Sequence, residues 1–373
     1  MTMHPRIAII GGGPGGLMLA RLLQLRGTAA TVFERDAHAG ERPQGGSLDL
    51  HGETGQKAIR LAGLEAEFLA AARPEDQGDR LYDPTGALLY DRTGDGDDRP
   101  EIDRTALREI LLAAVTPGTV RWASRVEAIL PHADGHDVVV NGVAERFDIV
   151  IGADGARSRV RALLSDAVPA YEGAALVELG FDVARHPAID ALVGRGKMFA
   201  VGDNRVLIGQ RNGHGHIRGY AGWRMPEAEA RRLGEMSPEE VRADAFAMFA
   251  GWSPSLTAMI VEGDILAVRP LDALPVGHTW ATRPGLTLIG DAAHLMSPFS
   301  GEGVNLALAD AVDLADALSA GEGWDAVARF EAAMAERAAP SAEGAAQGLN
   351  TAFSADGVGA VLAHYRERVG EAA

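Results

Sequence analysis

Three stretches of the 373-residue sequence hold residues spaced for ligand chemistry. In "IAIIGGGPGG", Gly11, Gly13 and Gly16 follow an apolar run and precede "LMLARLLQLRG". In a G-x-G-x-x-G pattern the first glycine permits a tight turn, the second lets a pyrophosphate approach the backbone, and the third lets helix and strand pack closely. The helix start then offers free N–H groups and a positive dipole end to phosphate. Glu34 ends the next strand, "TAATVFER", about 20 residues on, where a carboxylate accepts hydrogen bonds from a ribose diol. A carboxylate repels a 2′-phosphate, so FAD or NAD fits here better than NADP. The second stretch, "ADGARSRVR", places Asp154, Gly155, Ser158 and Arg161 after an apolar strand, although a plain strand–turn–helix capped by Ser158 would read the same way. The third, "GDAAHLMSPFSGEGVN", puts Asp291 at a strand end and opens a helix on Gly301, Gly303 and Asn305 rather than on a Ser or Thr cap. Ligands of open α/β sheets collect at the carboxyl ends of strands. Asp154 and Asp291 could therefore face one extended polyhydroxyl ligand, whose hydroxyls supply the donors that a carboxylate needs there.

The elements that must position these residues follow from periodicity. Ile7–Ile10 is a continuous apolar run, as in a strand buried on both faces. Leu17, Ala20, Leu23 and Leu25 give a helical stripe that Gly27 stops, so the chain opens as a βαβ unit. Residues 53–72 and 105–116 are expected to be helical, the second capped by Asp103. Short strands with a turn at "HADGH" are expected over 119–150. From about 170 to 270 the texture turns β-like, with one helical segment near 226–250. The tail from 325 is Ala-rich, with helix breaks expected at Pro340 and Gly357. The two textures interleave, which predicts a discontinuous nucleotide-binding domain with a β-rich domain inserted into it.

Composition narrows the partners. The net charge of −17 argues against nucleic acid or an anionic membrane, which need clustered Lys and Arg. With no cysteine there are no disulfides, iron–sulfur clusters, Cys-ligated zinc or cysteine-linked flavin, and a cytoplasmic protein is expected. No apolar run reaches the ~18 residues of a membrane span, and glycines interrupt the one stretch of signal-peptide length.

In this order, with Glu34 after the first, the three stretches resemble the single-component flavoprotein aromatic hydroxylases, the p-hydroxybenzoate hydroxylase-like family. "GGSLDLHGETGQKAIRLAGL" and "EIDRTALREILL" are similar to its tetracycline-hydroxylating branch. The resemblance implies an α/β fold: a glutathione-reductase-type, Rossmann-like FAD-binding domain, an inserted β-rich substrate domain and a C-terminal helix. The FAD-binding domain is expected over 1–72, 98–170 and 272–322, the substrate domain over 73–97 and 171–271, and the helical segment over 323–373. The implied activity is hydroxylation of an aromatic or polycyclic small molecule through a flavin C4a-hydroperoxide. Its cofactors would be non-covalent FAD, NADPH or NADH as transient reductant, and O2 as co-substrate, with no required protein partner. Gly11, Gly13, Gly16, Glu34 and Arg35 would hold the ADP half of FAD, and Arg108 its phosphates or ribityl chain. Asp49 matches an acid near the cofactor, and Asp291 would bind the ribityl chain. Backbone N–H groups of Gly301, Gly303, Val304 and Asn305 would meet the flavin pyrimidine edge. Asp154 and the arginines after it match a motif shared between FAD and NADPH. Pro298, Phe299 and Gly303 would line the oxygen-transfer pocket, with no residue acting as acid or base. Phe199, Arg218, Tyr220 and Trp223 are the substrate-wall candidates, although "GKMFAVGDNRVLIGQ" and "GHIRGYAGW" depart from the tetracycline branch.

Other readings stay open on the sequence. They are an FAD-dependent reductase of an isoprenoid-type double bond, a redox-silent FAD-binding module, and an NAD dehydrogenase, which would leave Asp291 and its glycines without a role. A flavin halogenase would carry a W-x-W element, which is absent. No metal is expected: His214 and His216 read as a solvated loop, "DRTGDGDDRP" as an exposed turn, and Asp310, Asp313 and Asp316 as the solvent side of a helix. His294 is given no role in proton transfer.

Overall fold

Ile7–Ile10, with no polar side chain, is the central strand of a five-stranded parallel sheet in the computed structural model, which describes residues 5–41, 45–93 and 98–368. The strand order is Leu286–Leu288, Ile149–Gly152, Ile7–Ile10, Ala30–Phe33, Val120–Arg121. Parallel pairing requires crossovers, and these bring the ends of all three chemical stretches to one edge of the sheet. Helix Pro14–Leu25 follows the central strand and packs on Gly303–Ser319, the helix that follows the third stretch. The same core takes in Val138 and Phe147 from a three-stranded antiparallel sheet, Val126–His132, Gly135–Val140 and Val143–Phe147.

A seven-stranded sheet takes its strands from two distant segments. Its order is Asp264–Ala273, Ala170–Asp182, His216–Arg224, Arg205–Arg211, Gly196–Gly202, Gly78–Tyr82, Leu88–Arg92. Side chains alternate between its faces. Val177, Phe181 and Trp223 point to one face and pack with Ile189, Leu233, Phe249 and Met259 from four short helices. Leu176, Phe199, Ile208 and Tyr220 point to the other, toward Leu349, Phe353 and Tyr365 of the tail. A two-stranded ribbon, Ser47–Asp49 with Glu101–Asp103, lies beside that second face: Gln210 of the sheet reaches Glu101 of the ribbon at 3.2 Å.

Several local expectations are corrected. Residues 53–72 form two helices, Gly55–Leu61 and Glu65–Ala71, separated at Gly63, whose φ of +70° suits glycine. The 226–250 segment is also two helices, Glu227–Leu233 and Pro238–Met248, the second starting in a capping box between Ser237 and Glu240. Asp103 does not cap helix Arg104–Ala114; its carboxylate accepts from Gly213 N at 3.0 Å and pairs with Arg73 at 3.0 Å. Pro340 does not break the tail helix, which runs Trp324–Ala352 before Gly357–Arg368. Pro340 is on the exposed side, where water can satisfy the carbonyl that its missing N–H leaves free.

Candidate active site

The glycine loop shows why each glycine is needed. A Cβ on Gly11 would lie 2.2 Å from Ala153 O, at a φ of +110°, and a Cβ on Gly16 would lie 2.2 Å from Gly11 O. These two let the loop press on the neighbouring strand and on its own helix. Gly13 differs: a Cβ there meets nothing within 4 Å, and the residue is the N-cap of Pro14–Leu25 with no side-chain cap. The helix start therefore opens on empty space. Glu34 is buried, accepts from Gly12 N at 2.8 Å and Asp36 N at 3.0 Å, and still borders that space. Arg35 is exposed at the same rim.

The space is one end of a cavity of about 2210 Å³. Its middle is bordered by Asp154 and Asp291. Asp154 Oδ2 accepts from Arg159 N at 2.7 Å, while Asp154 Oδ1 is buried without a hydrogen-bond partner. Burial raises this carboxyl above the usual carboxylate range. Asp291 begins a short helix, Asp291–His294, and its Oδ1 faces Gly303, 3.9 Å from where a Cβ would stand. Gly301 is left-handed at φ +71°, and helix Gly303–Ser319 starts without a side-chain cap, its first bond being Leu306 N to Glu302 O at 2.9 Å. The arrangement fits FAD on three counts. An open helix start can take a pyrophosphate, an orphaned carboxylate oxygen requires a donor, and a second uncapped helix start faces the same cavity.

Beyond the flavin loop the cavity floor is the inner face of the seven-stranded sheet, with Phe199, Ile208 and Tyr220, and its roof includes Pro298, Phe299 and tail residues Gly348 and Tyr365. The Ala-rich pattern of the tail marks only a helix and carries no signal that it forms this roof. A charged group also lies here that sequence reasoning missed. His51 Nδ1 is 3.1 Å from Glu302 and Nε2 is 3.5 Å from Asp49. Hydrogen bonds to Asp49 and Glu302 push the His51 pKa up to about 9 against the effect of burial. For Asp49 burial acts upward, but the His51 hydrogen bond and the charges of Lys197, His51 and Arg99 hold its carboxyl well below the usual range. Lys197 Nζ is 3.9 Å from both Asp49 Oδ2 and Glu101 Oε1. Burial opposes its charge, yet Asp49, Glu101 and Asp79 keep its pKa above the ordinary value.

Four site expectations change. Arg108 does not border the cavity; it lies behind the loop and donates to Gly12 O at 3.3 Å, Ala39 O at 2.9 Å and Asp36 Oδ2 at 3.3 Å. Its rigid fork of donors suits bracing a loop whose carbonyls face inward. Asn305 is fully buried, and its side chain accepts from His51 N at 2.9 Å and donates to Asp49 O at 2.9 Å. It clamps the flavin-loop helix to the Ser47–Asp49 ribbon, a side-chain role beyond the backbone donor expected. Trp223 is on the outer face of the sheet, edge-on to Phe249 at 6.4 Å, because its odd position in the strand alternates away from Tyr220. Arg218 shares the face of Tyr220 but is held by Glu178 at 3.1 Å. Away from the site, Asp310 is not on the solvent side of its helix: it is fully buried, whereas Asp316 is exposed. His216 is exposed in a strand and His214 in the turn before it, and no cluster of three metal-ligating side chains occurs among the described residues. The central residues of "DRTGDGDDRP", 94–97, lie outside the described residues.

Comparison with known proteins agrees with this geometry. The chain is 32% identical over 372 residues to monooxygenase asqM of Emericella nidulans, covering 84% of this chain and 83% of that one. Its fold is similar to that of Klebsiella pneumoniae HpxO complexed with FAD and uric acid, with a TM-score of 0.80 at 22% identity over 97% of this chain and 92% of that one. It is also similar in fold to the tetracycline destructase Tet(55), with a TM-score of 0.78 at 21% identity over 99% and 95% of the two chains. No helix among the described residues is long and apolar enough to cross a membrane. The sequence matches the FAD binding domain family over residues 5–349; the chain belongs to that family and is an FAD-dependent monooxygenase.

Proposed function

We propose that the protein is a single-component flavin hydroxylase that uses NADH or NADPH and O2 to add one oxygen atom to an aromatic or polycyclic small molecule. One observation carries this reading: a single cavity joins the glycine loop, Asp154, Asp291 and the Gly301–Val304 loop to an aromatic floor. When bound, FAD supplies the redox chemistry, taking two electrons from the reduced nucleotide and passing one atom of O2 to the acceptor while the other leaves as water. Gly13 and the helix behind it would take the pyrophosphate, and Glu34 a ribose. Asp154 Oδ1 and Asp291 would accept from hydroxyls of the ribityl chain. The N–H groups of Gly303, Val304 and Asn305 would donate to the pyrimidine edge, where the helix dipole favours negative charge. Pro298 and Phe299 would exclude water beside the reacting carbon, which limits wasteful release of hydrogen peroxide. Residues 1–72, 98–170 and 272–322 would act as the FAD-binding unit, and 73–97 with 171–271 as the substrate unit. A cytoplasmic location and action without a protein partner belong to the same proposal. The fold similarity to HpxO, whose structure holds FAD and uric acid, supports a planar small-molecule acceptor.

The test is direct. FAD-loaded protein is given NADH or NADPH and a panel of phenols and fused-ring compounds under 18O2. At least one acceptor should accelerate nucleotide oxidation by tenfold or more and carry the label. Nucleotide oxidation that yields only hydrogen peroxide with every acceptor would overturn hydroxylation.

A further inference from the structure

The inner face of the seven-stranded sheet is built in rows. Asp79, Lys197, Gln210 and Arg218 are registered partners across four neighbouring strands. Two residues further along, Leu81, Phe199, Ile208 and Tyr220 form the adjoining apolar row. The polar row runs beside the Ser47–Asp49 ribbon, which the flavin loop touches; a Cβ on Gly301 would stand 3.6 Å from Asp49 Oδ1. A planar molecule on this floor would therefore lie with a polar edge toward the flavin loop and an apolar body over Phe199 and Ile208.

Within the polar row two members are occupied and two are not. Gln210 donates to Glu101 Oε2 at 3.2 Å, and Arg218 pairs with Glu178 at 3.1 Å. Lys197 stands 3.9 Å from each of its carboxylates, beyond hydrogen-bond distance, so its three N–H donors are held near opposite charge without being used by it. Asp79 Oδ1 is buried and has no hydrogen-bond partner. Both residues border the cavity. A buried carboxylate oxygen left without a donor is costly unless a ligand or water supplies one. The backbones of the two residues are about 4.8 Å apart across paired strands, close enough for both side chains to meet neighbouring atoms of one ring.

We infer that Lys197 and Asp79 form a donor–acceptor pair that selects planar substrates bearing a hydrogen-bond acceptor and a hydrogen-bond donor on neighbouring ring positions, as in an ortho-aminophenol or a lactam edge. Lys197 donates to the oxygen borne on one ring position and Asp79 accepts from the N–H at the next. The inference rests on the hydroxylase reading for treating this face as the acceptor site, and it makes the two residues specificity determinants rather than catalytic ones. Arg218, expected from sequence to touch substrate, is instead taken up by Glu178 at 3.1 Å.

The experiment measures binding without turnover. FAD-loaded protein is titrated with naphthalene, 2-naphthol and 3-amino-2-naphthol, and affinity is read from probe fluorescence. The wild type should bind 3-amino-2-naphthol roughly tenfold more tightly than 2-naphthol, and 2-naphthol more tightly than naphthalene, as expected when charged groups make the hydrogen bonds. Lys197→Met should abolish the preference for 2-naphthol over naphthalene. Asp79→Asn, which keeps the shape, should reduce the amino preference several-fold and leave the hydroxyl preference intact. Equal affinities in the wild type, or preferences unchanged in both variants, would overturn the pair. The wild-type comparison decides the matter even where a variant does not fold. Failure to load FAD at all would instead strike the hydroxylase reading.

Discussion

Two buried charge clusters separate structure from function in this molecule. In the first, Asp310 accepts from Gly290 N at 2.9 Å, His294 Nε2 at 2.7 Å and Arg337 Nη2 at 2.9 Å, and Arg337 also reaches Asp313 at 2.6 Å. In the second, Lys197 sits 3.9 Å from its two carboxylates at the edge of the cavity. The first is closed around its carboxylate: both Asp310 oxygens are used, by Gly290 and His294 at the short helix and by Arg337 of the tail helix, which fixes the backbone directly before Asp291, while His294 Nδ1 and Arg337 Nε are buried without partners of their own. For Asp310, burial acts upward but the His294 charge and hydrogen bond, with Gly290 N and Arg337, bring its pKa below the ordinary value. The second is open, with donors left for something other than the protein. Burial alone does not distinguish the two clusters; hydrogen-bond geometry does.

The largest effect should come from breaking the closed cluster. Asp310→Ala leaves His294 without its carboxylate, Arg337 with Asp313 alone and Gly290 N without its acceptor, and loss of one partner in a buried pair costs about 3–5 kcal/mol. Urea unfolding should show that loss, together with reduced retention of FAD because the Asp291 turn is released. Lys197→Met should cost under about 2 kcal/mol in the same assay, since its two carboxylates stand 3.9 Å away and keep other partners, His51 for Asp49 and Ser47 for Glu101. Comparable losses in the two variants would erase the distinction between closed and open clusters.

The glycine loop offers the same contrast on a finer scale. Gly16 is closed, with 2.2 Å between its missing Cβ and Gly11 O, and Gly13 is open. Gly16→Ala should lower the stability of FAD-free protein by about 1–3 kcal/mol, the range expected when a packed interior is forced apart. Gly13→Ala should unfold like the wild type without FAD but bind FAD more than tenfold less tightly, because the added methyl would occupy space meant for the pyrophosphate. An unchanged FAD affinity in Gly13→Ala would remove the pyrophosphate from that helix start.

How much of this was legible depended on the range of the constraint. The glycine loop, Glu34 and the strand ends at Asp154 and Asp291 are local: spacing alone places them on one sheet edge, and the structure does so. The inserted sheet was legible as β-rich texture, but the face of each side chain was not. Trp223 and Tyr220 are three residues apart, so alternation must place them on opposite faces, yet only the pairing partners decide which face meets the cavity. Charge on a helix usually marks solvent, which predicts Asp310 outward; His294 and Arg337, its distant partners, invert that. Lys197, Asp79 and His51 have no motif of their own and become a site only when the ribbon, the sheet and the flavin loop meet. Pro340 shows the reverse, a strong local signal overridden by a long helix packed along one side.

His51 lies between the two classes and gives the smallest and most diagnostic effect. It ties the ribbon, through Asp49, to the first turn of the flavin-loop helix, through Glu302, and it borders the cavity. Its pKa is raised from the ordinary 6.5 to about 9, so the folded state binds its proton more tightly than the unfolded chain does. The stabilisation is therefore complete below about pH 6.5 and is lost as pH rises through about 9. His51→Gln should be less stable than the wild type by about 1 kcal/mol near pH 6, a modest value because water screens the pair. The gap should close above the raised pKa, since neutral imidazole no longer binds both carboxylates. A gap that stays constant with pH would mean that His51 acts through shape alone, and the strap would then belong with the closed contacts around Asp310 rather than with the open charges on the cavity floor.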